Sequence, residues 1–314
     1  MKVKKLTIIK YVVDIALIIL LSFMYYLNKP IYSTRVLYIP SGSINKIISH
    51  LKIQNNQISK LDSLVLRVLG SPQSGWIDMK ERENTKGDFL YKLTTAKAAL
   101  QDIILIPGET TLVFLNQLSD TLQLDRVKLQ NEYEKQSRIE EGMFVPDTYK
   151  IPIGITEEEI IKLLLQSSHK KMKEISIKIF GSYNEKKWLH YVAIASVIQK
   201  ESANIEEMEI VSSVIYNRIN KGMKLQMDGT LNYGQYSHVK VTPKRILDDD
   251  SVYNTYKNKG VPNVPVCNVS FEAIKAAIFP AKTSYLYFMK SKSGTHDFSC
   301  NYSTHLQNIR HATK

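Results

Sequence analysis

The chain has 314 residues, room for about two domains, and with 44% hydrophobic and 23% charged residues, 13 Gly and 10 Pro it is neither collagenous, low-complexity nor wholly disordered. The net charge is +12, of which Lys2, Lys4, Lys5, Lys10, Lys29 and Arg35 against Asp14 place +5 in the first 35 residues and leave +7 for the body. A basic body suits a polyanion: nucleic acid, an anionic membrane face or a carboxylate-bearing cell-wall polymer.

From Tyr11 to Leu27 the chain reads YVVDIALIILLSFMYYL, 17 apolar residues behind four lysines. That run is at the short end of what crosses a bilayer, and the lysines place the amino end in the cytoplasm. It closes on Phe23, Met24, Tyr25, Tyr26 and Leu27, an aromatic interfacial belt rather than the small residues of a cleavage site. The reading is an uncleaved signal anchor in the inner (cytoplasmic) membrane, with everything after Asn28 on the far side. Asp14 is costly in a bilayer but lies within one turn of the cytoplasmic edge.

Two later stretches resemble each other: LYIPSGSINKIISHL at Leu37–Leu51 and LIPGETTLVFLNQL at Leu105–Leu118. Aligning Pro40 with Pro107 brings Ile47 onto Phe114, Ile48 onto Leu115 and Leu51 onto Leu118. Each predicts a strand, a turn and an amphipathic helix with Ser43 or Thr110 as N-cap. Such βα units build small LysM-like modules, so they serve either glycan binding or packing. Between them Leu69–Asp88 is polar and bears Gly and Pro, which predicts an exposed excursion before Phe89.

Thr156 caps a predicted surface helix over Glu157–Ser168. Lys186–Ser202 and Glu206–Lys221 carry apolar residues at helical spacing and predict a helical hairpin ended by Gly222. FEAIKAAIF before Pro280 reads as a helix, and SYLYFMK over Ser284–Lys290 as a strand. Helices and strands do not alternate evenly, so the class is α+β rather than doubly wound. Cys267 and Cys300 lack metal or redox spacing and read as plain thiols, with a disulfide between them left open.

Glu201 follows Ile198 by three residues and Ile194 by seven, at the C-terminal end of an apolar stripe. Desolvation and the negative end of the helix dipole both raise a carboxyl pKa there, which suits a general acid. Pairing with Lys200 or Arg218 is the plainer alternative. Tyr216, Asn217 and Arg218, then Gly222 through Thr230, form a polar run typical of a lined cleft.

Several ordered motifs carry a resemblance: EGMFVPDTY at Glu141–Tyr149, ASVIQKES ending at Ser202, VIYNRINKGMKLQMDGTLNYG ending at Gly234, YNTY with Gly260-Val261-Pro262, AIKAAIFPAKTSYLYF, and His296-Asp297-Phe298-Ser299. From Leu37 to the C-terminus the chain resembles the endolytic murein transglycosylase family, also called MltG or YceG-like. The resemblance implies one membrane helix, a LysM-like subdomain and a catalytic domain. On this chain that gives a cytoplasmic basic tail over 1–10, the signal anchor over 11–27, the LysM-like subdomain with its polar insertion over 28–125, and the catalytic domain over 126–314.

The implied reaction is cleavage of the β-1,4 bond between N-acetylmuramic acid and N-acetylglucosamine in nascent peptidoglycan, leaving a 1,6-anhydro end. Glu201 in Gln199-Lys200-Glu201-Ser202 takes the place of the family's catalytic acid/base, and no metal or cofactor is called for. By the same resemblance Asp228, in the L-Q-x-D motif, has a substrate-positioning or structural role, and Tyr216, Asn217, Gln226, Tyr253 and Asn254 are further substrate-binding candidates. Implied partners are glycan strands, the inner membrane and penicillin-binding proteins, with strand release near the bilayer as the outcome. The chain departs from the family at Asp228-Gly229-Thr230, commonly D-P-T, and at Asn268-Val269-Ser270, commonly N-P-G. Two other readings stay open: a non-catalytic membrane-anchored glycan-binding scaffold, and a muramidase-type hydrolase pairing Glu201 with Asp228. A nucleic-acid partner is disfavoured, because the basic excess is spread out and no recognition motif appears.

Overall fold

The computed structural model describes residues 2–54 and 57–313, with side chains left undescribed at 2–6, 54 and 313. The charged groups of Lys2, Lys4 and Lys5 in the basic tail therefore lie outside the described residues. The fold mixes helices with short strands, which pair as four two-stranded ladders among the described residues. It divides into two compact units, residues 1–101 with 150–154, and 102–149 with 155–314.

The first unit opens with α1 (Lys2–Leu27), whose segment Thr7–Leu27 is long and apolar enough to cross a membrane. β1 (Pro30–Tyr32), β2 (Val36–Ile39), α2 (Ile44–Gln54), α3 (Lys60–Leu69), β3 (Gly75–Asp78), β4 (Glu83–Thr85) and α4 (Lys86–Thr95) follow. β1 pairs antiparallel with β4, and β2 with β3, setting Leu37 opposite Ile77 and Tyr38 opposite Trp76. Ile31, Ile39, Leu51, Leu66, Ile77 and Phe89 meet in one core. Each such side chain contributes about 1.5–3 kcal/mol by leaving water.

The stretch Leu69–Asp88 is ordered and partly buried, not the exposed excursion its composition predicts. It supplies β3, β4 and the buried Ile77 and Met79. Its strands are too brief to show a period, and polarity does not mark their faces, since Asn84 is buried and Trp76 exposed. Residues 150–154 belong to the same unit, and Gly154 at φ +79° leaves room for the Trp76 ring, which an added Cβ would meet at 2.3 Å.

β5 (Leu100–Ile104) leads into the second unit, followed by α5 (Thr111–Leu122), α6 (Arg126–Gln136), β6 (Thr148–Pro152), which pairs with β5, and α7 (Glu157–Phe180). The chain then forms α8 (Glu185–Glu201), α9 (Met208–Asn220), α10 (Pro243–Asp248), α11 (Phe271–Ile278), β7 (Tyr287–Lys290), β8 (His296–Ser299) and α12 (Tyr302–Thr313).

Both predicted strand–turn–helix units form, and their aligned residues Ile47, Ile48, Leu51, Phe114, Leu115 and Leu118 are all buried. Thr110 caps α5 through its side chain, and Thr156 with Glu159 forms a capping box on α7. α7 runs 12 residues beyond the predicted end at Ser168, because Met172 and Ser176 keep a narrow buried face through the charged stretch. The strand predicted over Ser284–Lys290 begins only at Tyr287, where it pairs with β8.

The core of the second unit is built around α8. From Val192 to Ile198 every residue is buried, and both α9 and α11 pack against this helix. The Ser196 hydroxyl donates to the Ala193 carbonyl at 2.7 Å and accepts from the Val266 N–H at 2.8 Å, so the polar atom on this buried helix is satisfied. Cys267 is buried and Cys300 exposed, and both are free thiols, which closes the disulfide alternative.

Candidate active site

Glu201 is the last residue of α8, where the helix runs out at Ser202. Its Oε1 accepts the backbone N–H of Gly229 at 2.7 Å. Burial pushes the carboxyl up to about 7, the Gly229 N–H pulls the other way, Asp228 raises it further and Arg218 lowers it. The direction agrees with the expectation from its place on the stripe. Neither proposed pairing partner is committed to it: Lys200 donates to the Ser237 hydroxyl at 3.0 Å, and Arg218 donates to the carbonyls of Leu286, at 2.6 Å, and Leu225.

The segment facing Glu201 is irregular, turning through the left-handed region at Gln226 (φ +47°), and buried and exposed residues alternate along it. Leu225, Met227 and Gly229 are buried while Gln226 and Asp228 are exposed. Thr255 fixes this segment, its carbonyl accepting the Gln226 N–H at 3.2 Å and its hydroxyl the Met227 N–H at 3.1 Å. A 3-10 turn, Asp228–Leu231, then brings the Gly229 N–H onto Glu201. A Cβ at Gly229 would stand 2.7 Å from both Glu201 Oε1 and Lys200 Cβ, so glycine allows the close approach. Asp228 accepts the Tyr256 hydroxyl at 2.6 Å, and burial raises that phenol's pKa.

The other candidates separate by geometry. Tyr253 stacks on Tyr233 with ring centroids 4.3 Å apart and planes at 14°. Both line a cavity of about 640 Å³ with Thr111, Tyr133, Arg138 and Glu141, and Glu201 is not among the lining residues. Tyr216 and Asn217 point elsewhere. The Tyr216 hydroxyl donates to the Ala277 carbonyl at 2.7 Å, and the Asn217 amide to Thr283 and Tyr285 at 3.0 and 2.9 Å. Asn254 is fully buried, its amide donating to the Ile246 and Asp249 carbonyls and its oxygen accepting the Tyr256 N–H. Asn254 is buried, Tyr216 and Asn217 are half-buried beside a cavity lined also by Pro280 and Lys282, and all three bond to backbone carbonyls of the framework.

Sequence reasoning missed Tyr256, Thr255 and the chemistry of Glu141. The Glu141 carboxylate accepts the Thr111 N–H and hydroxyl and the Gly142 N–H, and burial pushes it up to about 7. Its helix partner lies 30 positions away, so local pattern carries no signal for it.

A family model described as YceG-like matches residues 37–311. The chain belongs to the YceG-like family. Among relatives of this YceG-like chain, an endolytic murein transglycosylase of Bacillus subtilis strain 168 is 32% identical over 155 residues, covering 49% of this chain and 42% of the relative. A protein of the same name from Streptococcus pneumoniae strain R6 is 30% identical over 178 residues, covering 54% and 31%. The YceG-like chain thus spans less than half the length of these curated relatives. The crystal structure of a YceG-like protein from Listeria monocytogenes superposes with a TM-score of 0.56 at 24% identity, covering 89% of this chain and 99% of that one, and shows the same fold.

Proposed function

We propose that this chain is a membrane-anchored endolytic lytic transglycosylase that cuts peptidoglycan glycan strands with Glu201 as its one acid/base. The observation that carries the reading is a desolvated carboxyl, pushed up to about 7, at the end of a buried helix and held by a backbone donor. Near neutral pH a substantial share of such a group is protonated and can donate. The names of the Bacillus and Streptococcus relatives support the substrate class.

In this mechanism Glu201 gives its proton to the β-1,4 glycosidic oxygen, the bond from that oxygen to the anomeric carbon of N-acetylmuramic acid breaks, and an oxocarbenium-like centre forms. The Gly229 N–H stabilises the carboxylate left behind, a charge-assisted bond made stronger as the negative charge appears. The C6 hydroxyl closes on the anomeric carbon, and its proton returns to Glu201, which restores the acid. Asp228, exposed and anchored by Tyr256, faces the developing cation from the same segment. Gln226 and the Tyr253 face are the groups offered to sugar hydroxyls and acetamido groups.

α1 supplies the anchor, its lysines facing the cytoplasm and the body outside, close to nascent strands and the penicillin-binding proteins that make them. The strand–turn–helix unit at β2 and α2 supports a LysM-like, glycan-binding role for the first unit. The proximity of Asp228 to Glu201 favours one second reading, a hydrolase with two carboxylates. Borohydride reduction of the product ends separates the two. Anhydro ends resist reduction and support the transglycosylase, while new reducible ends on muramic acid establish the hydrolase.

A further inference from the structure

The last turn of the membrane-spanning segment is bonded into the folded first unit. The Tyr26 hydroxyl donates to Asp62 Oδ1 at 2.8 Å, lies 2.6 Å from the Ser59 hydroxyl, and accepts Lys86 Nζ at 2.9 Å. Asp62 and Lys86 are themselves buried and 3.4 Å apart. Lys86 also donates to the Gln57 carbonyl at 2.6 Å, tying in the loop that enters α3. Ser59 is the N-cap of α3 and Asp62 its first-turn acid, so α3 starts beside the point where α1 ends.

α3 is apolar on more than the face it buries. Asp62 and Leu66 point into the core, yet Leu61 and Leu64 are each 55% exposed and Val68 is 87% exposed. Their spacing of three and four residues places them in one stripe on the outer side. Ile53, in the last turn of α2 and 85% exposed, adds to the apolar surface around the same loop. Lys60 and Arg67 are exposed on α3 itself. An apolar stripe with flanking cations, joined to the end of a spanning helix, matches a bilayer interface, where apolar side chains sink about 5–10 Å and cations stay among the headgroups.

We propose that α3 lies in the lipid interface of the leaflet from which the chain emerges, with Leu61, Leu64 and Val68 immersed. The first unit is then seated on the bilayer by two contacts, α1 and α3, and does not swing on a free tether. This proposal rests on the membrane-anchor reading.

The test uses the full chain in phosphatidylethanolamine–phosphatidylglycerol vesicles, in a Cys300→Ser background that leaves only the buried Cys267. An environment-sensitive fluorophore is placed in turn at Leu64→Cys, at Leu20→Cys on α1, and at Val127→Cys, an exposed site on α6. The expected result is blue-shifted emission at 20 and 64, the latter lost to spin label on shallow but not deep lipid positions, with 127 unaffected. Emission at 64 that stays in water while 20 is quenched overturns the proposal and leaves the anchor standing. If 20 also stays in water, the anchor reading fails and the proposal with it. A blue shift at 64 that no lipid quencher reaches assigns the stripe to a protein partner and likewise overturns the proposal.

Discussion

The Gly229 N–H meets Glu201 Oε1 at 2.7 Å, and nothing larger than glycine fits between the 3-10 turn and the end of α8. The bond holds one carboxyl oxygen and leaves the other for the proton. Gly229→Ala would drive a methyl group against Glu201 and Lys200, displacing the acid by tenths of an ångström. Loss of kcat by about 10- to 100-fold with a smaller change in KM is expected, since misplacement of a general acid falls mainly on the chemical step.

The pH profile follows from the raised carboxyl. The acid is protonated below about 7, so kcat/KM falls on the alkaline side with a midpoint there. Asp228 is a negative neighbour that raises Glu201, and removing its charge lowers that midpoint. For Asp228→Asn the alkaline limb moves to lower pH while the products keep anhydro ends. A limb that does not move separates Asp228 from Glu201 electrostatically, and a switch from reducing ends to no product identifies Asp228 as a hydrolytic base.

The same shift costs stability. A carboxyl whose folded pKa stands near 7, above its ordinary 4.5, binds a proton that the unfolded chain has released between those values. Its contribution is fully present below pH 4.5 and is lost as pH rises through 7. The loss is on the order of 3 kcal/mol at pH 8, from about 1.4 kcal/mol per pKa unit. Glu201→Gln keeps an acceptor for Gly229 and carries no charge, so it unfolds at higher urea than the parent at pH 8 and with it at pH 4.5. Glu141, also near 7, gives the same slope in both proteins and cancels in the comparison.

Arg218 fixes the site from behind. It is buried and donates to the carbonyls of Leu225 and Leu286, joining the Gln226–Gly229 segment to the approach to β7. Arg218→Met strands both carbonyls, and a loss of about 2–4 kcal/mol in urea unfolding is expected. Tyr253→Ala, by contrast, removes one face of the stack with Tyr233 and should raise KM while leaving the alkaline limb in place.

Much of the helical framework was legible because it is written locally. Thr110 and Thr156 are caps whose partners lie three residues on, and the stripe on α8 ends at Glu201 by simple periodicity. The polar stretch from Leu69 to Asp88 hid β3 and β4, because strands of three and four residues show too few alternations to be read. At the site, Gly229 acts through its backbone N–H and Thr255 partly through its carbonyl, and side-chain type is a poor guide to either. The partners of Asn254, Tyr216 and Asn217 were not legible, since each bonds to carbonyls brought near only by the tertiary fold.

The proposed mechanism has Glu201 alone break the glycan by internal closure. The direct test digests uncrosslinked peptidoglycan with the full chain and with Glu201→Gln, and reads the product ends by mass spectrometry. Internal cleavage with 1,6-anhydro-muramic ends is expected from the parent, and a rate at least about 100-fold lower from the variant. Reducing ends from the parent, or anhydro ends formed equally fast by Glu201→Gln, would contradict it.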